Sequence, residues 1–315
     1  MLWTVHPAPS LAESASYAKL SPMKRFAFGM VLSLLALIMA CSSEEPVVPA
    51  ETQAVTAIVM SADGVAIEYD VRGSGPVALV FIHGWMCDRT HWRHQIDAFA
   101  DGHTVVTLDL AGHGNSVGYR DSWTIDRFGA DVQAVVEALD LPRAILVGHS
   151  MGGQIALEAA ARMPDRVLGV VGVDSLHNVE TVIDPDEWNR LMRMYETDFA
   201  GTCAKFVQSM FPEPTEDSGL PDWIQDNMCD ADPEIAIAIL RRMPALDQPA
   251  MLAAAGVPVR CINSAKTAVT DIEANLRHGN YDAVLMEGVG HFVMLERPEE
   301  FNRLLAEAVE ELTGA

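Results

Sequence analysis

The chain has 315 residues, of which 21 are basic and 44 acidic, giving a formal net charge of −23. That acidity disfavours nucleic acid and bare anionic membrane as partners, while a chain this long and half apolar can bury one large core. Five cysteines are too few for a disulfide scaffold, and no Cys-x-x-Cys or His-x-x-x-His spacing suggests a metal.

At the amino end Lys24 and Arg25 precede an apolar run over 26–40. Its length suits a signal-peptide core and falls short of the roughly 20 residues a membrane-spanning helix needs. The run ends Leu37-Ile38-Met39-Ala40-Cys41, which resembles a bacterial lipobox. The resemblance implies that 1–40 is a signal peptide, with Met23 the more natural start, and that Cys41 is lipidated and attaches the protein to membrane through that lipid. A serine at 42, where an aspartate would retain the protein at the inner membrane, implies outer-membrane sorting in the cell envelope. The other readings are an uncleaved apolar tail that anchors by insertion and an accidental apolar stretch. Residues 41–54 then form a polar tether, and 55–315 form one folded domain, expected to be a monomer.

Beyond the tether, strand-like runs are expected over 56–60, 65–71, 77–82, 104–110, 144–147, 167–173, 257–262 and 283–286. Several are unbroken apolar runs, the pattern of strands buried on both faces of a mostly parallel sheet. Helical periodicity over 125–139, 151–162, 272–276 and 298–312 alternates with them. Alternation of this kind predicts an α/β fold with a doubly wound, mostly parallel eight-stranded sheet. It stops over 176–248, where helical segments are punctuated by Pro185, Pro212, Pro214, Pro221, Pro233 and Pro244. This predicts a helical cap inserted between strands 6 and 7. Cys203 and Cys229 fall in the cap, where an exported protein permits a bridge, although free cysteines also pack as small apolar side chains. Met192, Phe206 and Met210 are candidates to line an adaptable apolar pocket, against the plainer reading that they pack the cap onto its core.

Residues 148–153 read Gly148-His149-Ser150-Met151-Gly152-Gly153, between a strand and an alanine-rich helix. Gly-x-Ser-x-Gly at that junction is a nucleophile elbow, a tight turn whose small neighbours let a serine hydroxyl project from the sheet edge. His83-Gly84-Trp85 ends the third strand, Gly112-His113-Gly114-Asn115-Ser116 follows the fourth, and Gly288-Val289-Gly290-His291 follows the last. Four motifs in this order resemble the α/β-hydrolase family over roughly residues 55–312.

A serine hydroxyl needs a base within reach and a third group to fix the base's tautomer. The resemblance implies Ser150 as nucleophile, His291 as base, and the amides of Met151 and Trp85 as the oxyanion hole. The usual acid position after strand 7 departs from the family pattern, because 263–270 holds no carboxylate. Asp174, ending strand 6, is the first choice, since some branches, haloalkane dehalogenases among them, carry their acid there. Asp271 is the reserve, with helix capping as its simpler explanation. His83, Gly84 and His149 are expected around the substrate pocket, where His83, His113 and His149 shape loops.

The expected activity is hydrolysis of a small or medium carboxylic ester through an acyl-enzyme, with a small-molecule substrate and no cofactor. A carbon–carbon bond hydrolase, lactonase or aminopeptidase is the enzymatic alternative, and a non-catalytic lipid-anchored binding protein the alternative of a different class. A serine at the elbow, rather than aspartate, argues against dehalogenase or epoxide-hydrolase chemistry.

Overall fold

The computed structural model of the protein describes residues 54–212 and 219–314. Cys41, the segment 1–40 and the tether up to residue 53 lie outside them.

The apolar runs form eight strands: β1 (Val55–Met60), β2 (Ala66–Arg72), β3 (Ala78–Ile82), β4 (Thr104–Leu108), β5 (Ala144–His149), β6 (Val167–Val173), β7 (Val259–Ser264) and β8 (Tyr281–Met286). They make one sheet in the order β1-β2-β4-β3-β5-β6-β7-β8. β1 and β2, and β2 and β4, pair antiparallel; every later pairing is parallel. Every residue of β3 and β5 is buried, as strands covered on both faces must be, whereas β1 is a largely exposed edge strand.

The intervening helices are α1 (Arg93–Phe99), α2 (Ile125–Ala138), α3 (Met151–Arg162), α4 (Pro185–Thr197), α5 (Phe199–Ser209), α6 (Leu220–Cys229), α7 (Pro233–Leu240), α8 (Gln248–Ala255), α9 (Ile272–Leu276), α10 (Val293–Glu296) and α11 (Pro298–Thr313). α2 and α8 both pack on α3, and α11 packs with α1 and α10. The cap consists of α4–α7 between β6 and β7, as the break in alternation predicts. Three of its prolines begin helices: Pro185, Pro221 and Pro233 sit in first turns, where a missing N–H costs nothing. Asp184, Asp198 and Asp232 cap α4, α5 and α7 by accepting from the next free amides. Cys203 on α5 and Cys229 on α6 form a disulfide, with Cα atoms 5.7 Å apart.

Several boundaries differ from the sequence reading for local reasons. β4 stops at Leu108 rather than 110, because the Leu110 amide donates to the His83 ring instead of to a neighbouring strand. β7 starts at Val259 because Pro258 has no N–H to give the ladder. α1, α8 and α10 are unforeseen. α1 buries a polar residue, Gln95, whose amide donates to Asn302 on α11 and to the Met294 carbonyl, so its apolar stripe is interrupted. α8 is alanine-rich without a polar face, and α10 has four residues.

The parallel register brings the carboxyl ends of four strands side by side: Ile82 lies opposite Gly148, His149 opposite Val173, and Val173 opposite Ile262. Loops leaving those ends converge under the cap.

Candidate active site

Ser150 follows β5 immediately and has φ 54° and ψ −120°, a left-handed backbone unusual for a residue with a side chain. The flanking glycines make that turn possible. A Cβ on Gly148 would stand 2.1 Å from the Gly152 carbonyl oxygen, and one on Gly152 would stand 2.4 Å from that of Ile82. Asp174 and Leu176, which also line the site, and Met86, next to Trp85, have positive φ as well. Such backbone costs of the order of 1–3 kcal/mol per residue and persists where the surroundings over-determine it.

Asp174 follows β6 and is 2% exposed. One oxygen, Oδ2, lies 2.5 Å from His291 Nδ1. The other, Oδ1, accepts from the Ser264 amide at 2.8 Å and lies 3.2 Å from His177 Nε2. Burial alone would raise its pKa, but the hydrogen bonds and charges of His177 and His291 outweigh burial and hold the carboxyl well below the usual range. Asp271 is elsewhere: it caps α9, its carboxylate accepting from the Ala274 amide. The end of β7, empty of carboxylates, instead braces β6. Ser264 donates its amide to Asp174, and the Asn263 side chain accepts from the Ser175 amide.

His291 reaches Asp174 from the loop after β8, and that loop is clamped twice. Its own amide donates to the Met210 carbonyl at 2.8 Å, so the end of α5 supports it. Glu296 accepts from the amides on either side, Gly290 at 2.8 Å and Phe292 at 3.1 Å. Burial raises the Glu296 pKa against the pull of those two amides. Nothing in the sequence singles out Glu296. A carboxylate beside the Gly-x-Gly-His loop is a pattern ambiguous with ordinary helix-start acidity.

Ser150, His291 and Asp174 open onto one cavity of about 400 Å³, together with Gly84, Trp85, His149 and Met151. Among the described residues the Ser150 hydroxyl has no hydrogen-bond partner, and neither do the amides of Trp85 and Met151. Met151 opens α3, so its N–H is one that a helix leaves unsatisfied. The Trp85 indole donates to the Ala236 carbonyl of α7 at 3.0 Å and meets Phe206 edge-on, tying this loop to the cap.

Phe206 and Met210 line the cavity, joined by Trp188, Met228, Leu240 and Met243. Met192 does not: it points into the cap's own packing and is 5% exposed, leaving Trp188, one turn earlier on α4, to face the cavity. His83 does not line it either. Its ring lies under the loop with Nδ1 bonded to the Gly84 carbonyl and Nε2 accepting from the Leu110 amide. His149 bonds the His291 carbonyl through Nε2 at 3.0 Å. Burial pushes both His83 and His149 well below the ordinary imidazole range, with His113 adding to the effect on the first and His291 to that on the second. Both rings are therefore neutral supports of the loops around Ser150. Among the described residues no group of three or more His, Cys, Asp or Glu side chains is placed to hold a metal.

Residues 77–219 match a family model described as the alpha/beta hydrolase fold. The chain has the α/β-hydrolase fold. Among curated proteins the chain is 38% identical over 108 residues to the dihydrolipoyllysine-residue acetyltransferase component of the acetoin cleaving system of Cupriavidus necator, a match that covers 34% of this chain and 29% of that protein. It is 32% identical over 162 residues to a non-heme chloroperoxidase of Streptomyces lividans, covering 50% of this chain and 58% of that one. In both cases the match spans less than two thirds of the relative. A thermophilic esterase from Thermogutta terrifontis has the same fold, with a TM-score of 0.71 at 23% identity, over 82% of this chain and 99% of that one.

Proposed function

We propose that the protein is a serine esterase acting on small or medium carboxylic esters. In this reading Ser150 is the nucleophile, His291 the general base and Asp174 the carboxylate that orients the base. The observation that carries it is the convergence, on one cavity, of a serine on a strained elbow, two unpartnered amides and a histidine tied to a buried carboxylate.

The chemistry follows from those groups. With Nδ1–H donated to Asp174, the His291 ring has its lone pair on Nε2, the nitrogen free to take the Ser150 proton. The serine oxygen attacks the ester carbonyl, and the negative charge that forms on the carbonyl oxygen is met by the amides of Trp85 and Met151. His291 returns its proton to the departing alcohol, leaving an acyl-serine. Water, deprotonated by the same ring, then releases the acid. Trp85, Phe206, Met210 and Met228 offer the acyl chain an apolar enclosure.

An aminopeptidase would need a free carboxylate to receive a substrate ammonium. Among the described residues the cavity offers only Asp174, already engaged by three donors. A lactonase would use the same groups on a ring that joins acyl and alcohol portions. The envelope location and a lipid on Cys41 belong to the same proposal, and the Cys203–Cys229 bridge agrees with an oxidising compartment.

The test is hydrolysis of p-nitrophenyl acetate, butyrate and octanoate by the wild type and by Ser150→Ala. A loss of about a thousandfold or more in the variant is expected, since triad members elsewhere contribute on that scale. A folded wild type that cleaves none of the esters would favour the non-catalytic binding reading instead.

A further inference from the structure

Asp174 carries a second imidazole, and the esterase mechanism leaves it unused. His177 Nε2 lies 3.2 Å from Asp174 Oδ1, and its side chain is 14% exposed at the wall of the cavity. An ionised carboxylate can only accept, so His177 Nε2 must carry the proton of that bond. In the neutral ring the other nitrogen, Nδ1, is then a bare acceptor. It has no protein partner among the described residues. A histidine fixed in this way recognises a donor, a hydroxyl or an N–H, and offers nothing to a carbonyl or carboxylate.

The position of His177 says which part of an ester it meets. The sheet order sets β3, with the Trp85 loop, on one side of Ser150, and β6, β7 and β8 on the other. The carbonyl oxygen must turn toward the Trp85 and Met151 amides, and the leaving oxygen toward His291. The alcohol portion therefore extends over the ends of β6 and β7, where His177, Thr181 and Thr267 stand. That side mixes these polar groups with Leu176 and Ala268 and carries no free charge: no lysine or arginine among the described residues lines the cavity, and its one carboxylate is occupied. The large apolar side chains Trp188, Phe206, Met210, Met228, Leu240 and Met243 come instead from the cap.

We propose that His177 is the acceptor for a hydroxyl on the alcohol portion of the substrate, and that the preferred substrates are esters of small neutral polyols. The inference rests on the esterase reading. Its test compares kcat/KM for glycerol monobutyrate and propyl butyrate, which share an acyl group and differ in hydroxyls. A wild-type preference of about tenfold for the glycerol ester is expected, the size of one good hydrogen bond. His177→Phe should bring the two within about twofold. Because His177 also touches Asp174, both rates can fall in that variant; their ratio cancels the shared loss.

A measurement on the wild type alone guards against a variant that fails to fold. The butyryl group on Ser150, loaded from p-nitrophenyl butyrate, can be attacked by an alcohol in place of water. The alcohol oxygen bonds to the acyl carbon as the Ser150 ester bond breaks, and the alcohol's proton passes through His291 to the serine oxygen. Glycerol should capture the acyl group better than propanol at equal concentration. Equal rates on the two esters, a preference that survives His177→Phe, or equal capture of the two alcohols would each overturn the subsite while leaving the esterase reading intact. Failure to turn over p-nitrophenyl butyrate, with Ser150 also inert to a fluorophosphonate, would overturn both.

Discussion

Replacing Asp174 by asparagine forces a choice that the structure decides in advance. Oδ1 accepts from the Ser264 amide and faces His177 Nε2, so only an oxygen can stay there without leaving two donors unmet. The asparagine NH2 must take the place of Oδ2, 2.5 Å from His291 Nδ1. A donor at that point compels His291 to present a lone pair at Nδ1 and its proton at Nε2. The nitrogen needed to receive the Ser150 proton is then blocked. A wrong tautomer of this kind costs about a thousandfold to ten-thousandfold in kcat, or about 4–5 kcal/mol of activation free energy. The side chain is isosteric, so far-ultraviolet circular dichroism and Tm should change little. The assay is kcat/KM on p-nitrophenyl butyrate for Asp174→Asn beside Asp271→Asn. The second variant should stay within about twofold of wild type, because asparagine caps a helix as well as aspartate does. A loss below about tenfold in a folded Asp174→Asn protein, or a larger loss in Asp271→Asn, would refute the reasoning.

Other consequences are checkable in the same preparations. Glu296→Gln keeps one oxygen for two amides that now have one each, so the His291 loop should loosen and kcat/KM fall about tenfold, the worth of one charge-assisted bond; unchanged turnover would assign Glu296 to the helix start alone. Reducing the Cys203–Cys229 bridge, whose partners are 26 residues apart, should cost about 3–4 kcal/mol by loop entropy and lower Tm by several degrees; a Tm indifferent to dithiothreitol would contradict this. Stability should also depend on pH through buried histidines. Burial holds His83 and His149 well below their unfolded value and His113 at about 4, so the unfolded chain binds more protons below pH of about 6.5. Each removes about 1.4 kcal/mol per pH unit as the solution is acidified from there. His91 has the opposite sign: burial lowers its pKa, but the Cys87 thiol and Asp88 raise it further, to about 9, so its contribution is full below about 6.5 and lost as pH climbs through 9. Tm should therefore peak near neutrality, and a profile still rising as pH falls to about 5 would contradict the assignment.

The fold was legible because its signal is repetitive. β3, β5 and β6 are unbroken apolar runs, and β3 and β5 lead into a glycine-bearing loop and a helix start, so the pattern alone identifies them. The elbow was legible for a steric reason, since Gly148 and Gly152 stand where any Cβ would strike a backbone carbonyl. The acid could only be narrowed to two aspartates, because one-letter spacing does not say that β6 and β7 are neighbours in register, with Val173 beside Ile262. His177, three residues past Asp174, carried no motif; its role depends on a positive φ at Asp174 and Leu176 that turns the chain back on the carboxylate. Short helices such as α10 and interrupted ones such as α1 are fixed by tertiary contacts, such as that of Gln95 with Asn302, rather than by local pattern. The choice of Trp188 over Met192 as a cavity wall turns on the exact rotation of α4, because both belong to its one apolar stripe with Leu191 and Tyr195 and periodicity does not separate them.

The central claim is that Ser150 is an activated nucleophile served by His291, and it is tested most directly by covalent capture. The wild type, Ser150→Ala and His291→Ala should be exposed to a fluorophosphonate and their peptides mapped by mass. Label confined to the Ser150 peptide of the wild type, absent from Ser150→Ala and slowed by about a hundredfold or more in His291→Ala, is the result expected. A folded wild type that stays unlabelled, or one labelled equally fast without His291, would contradict it.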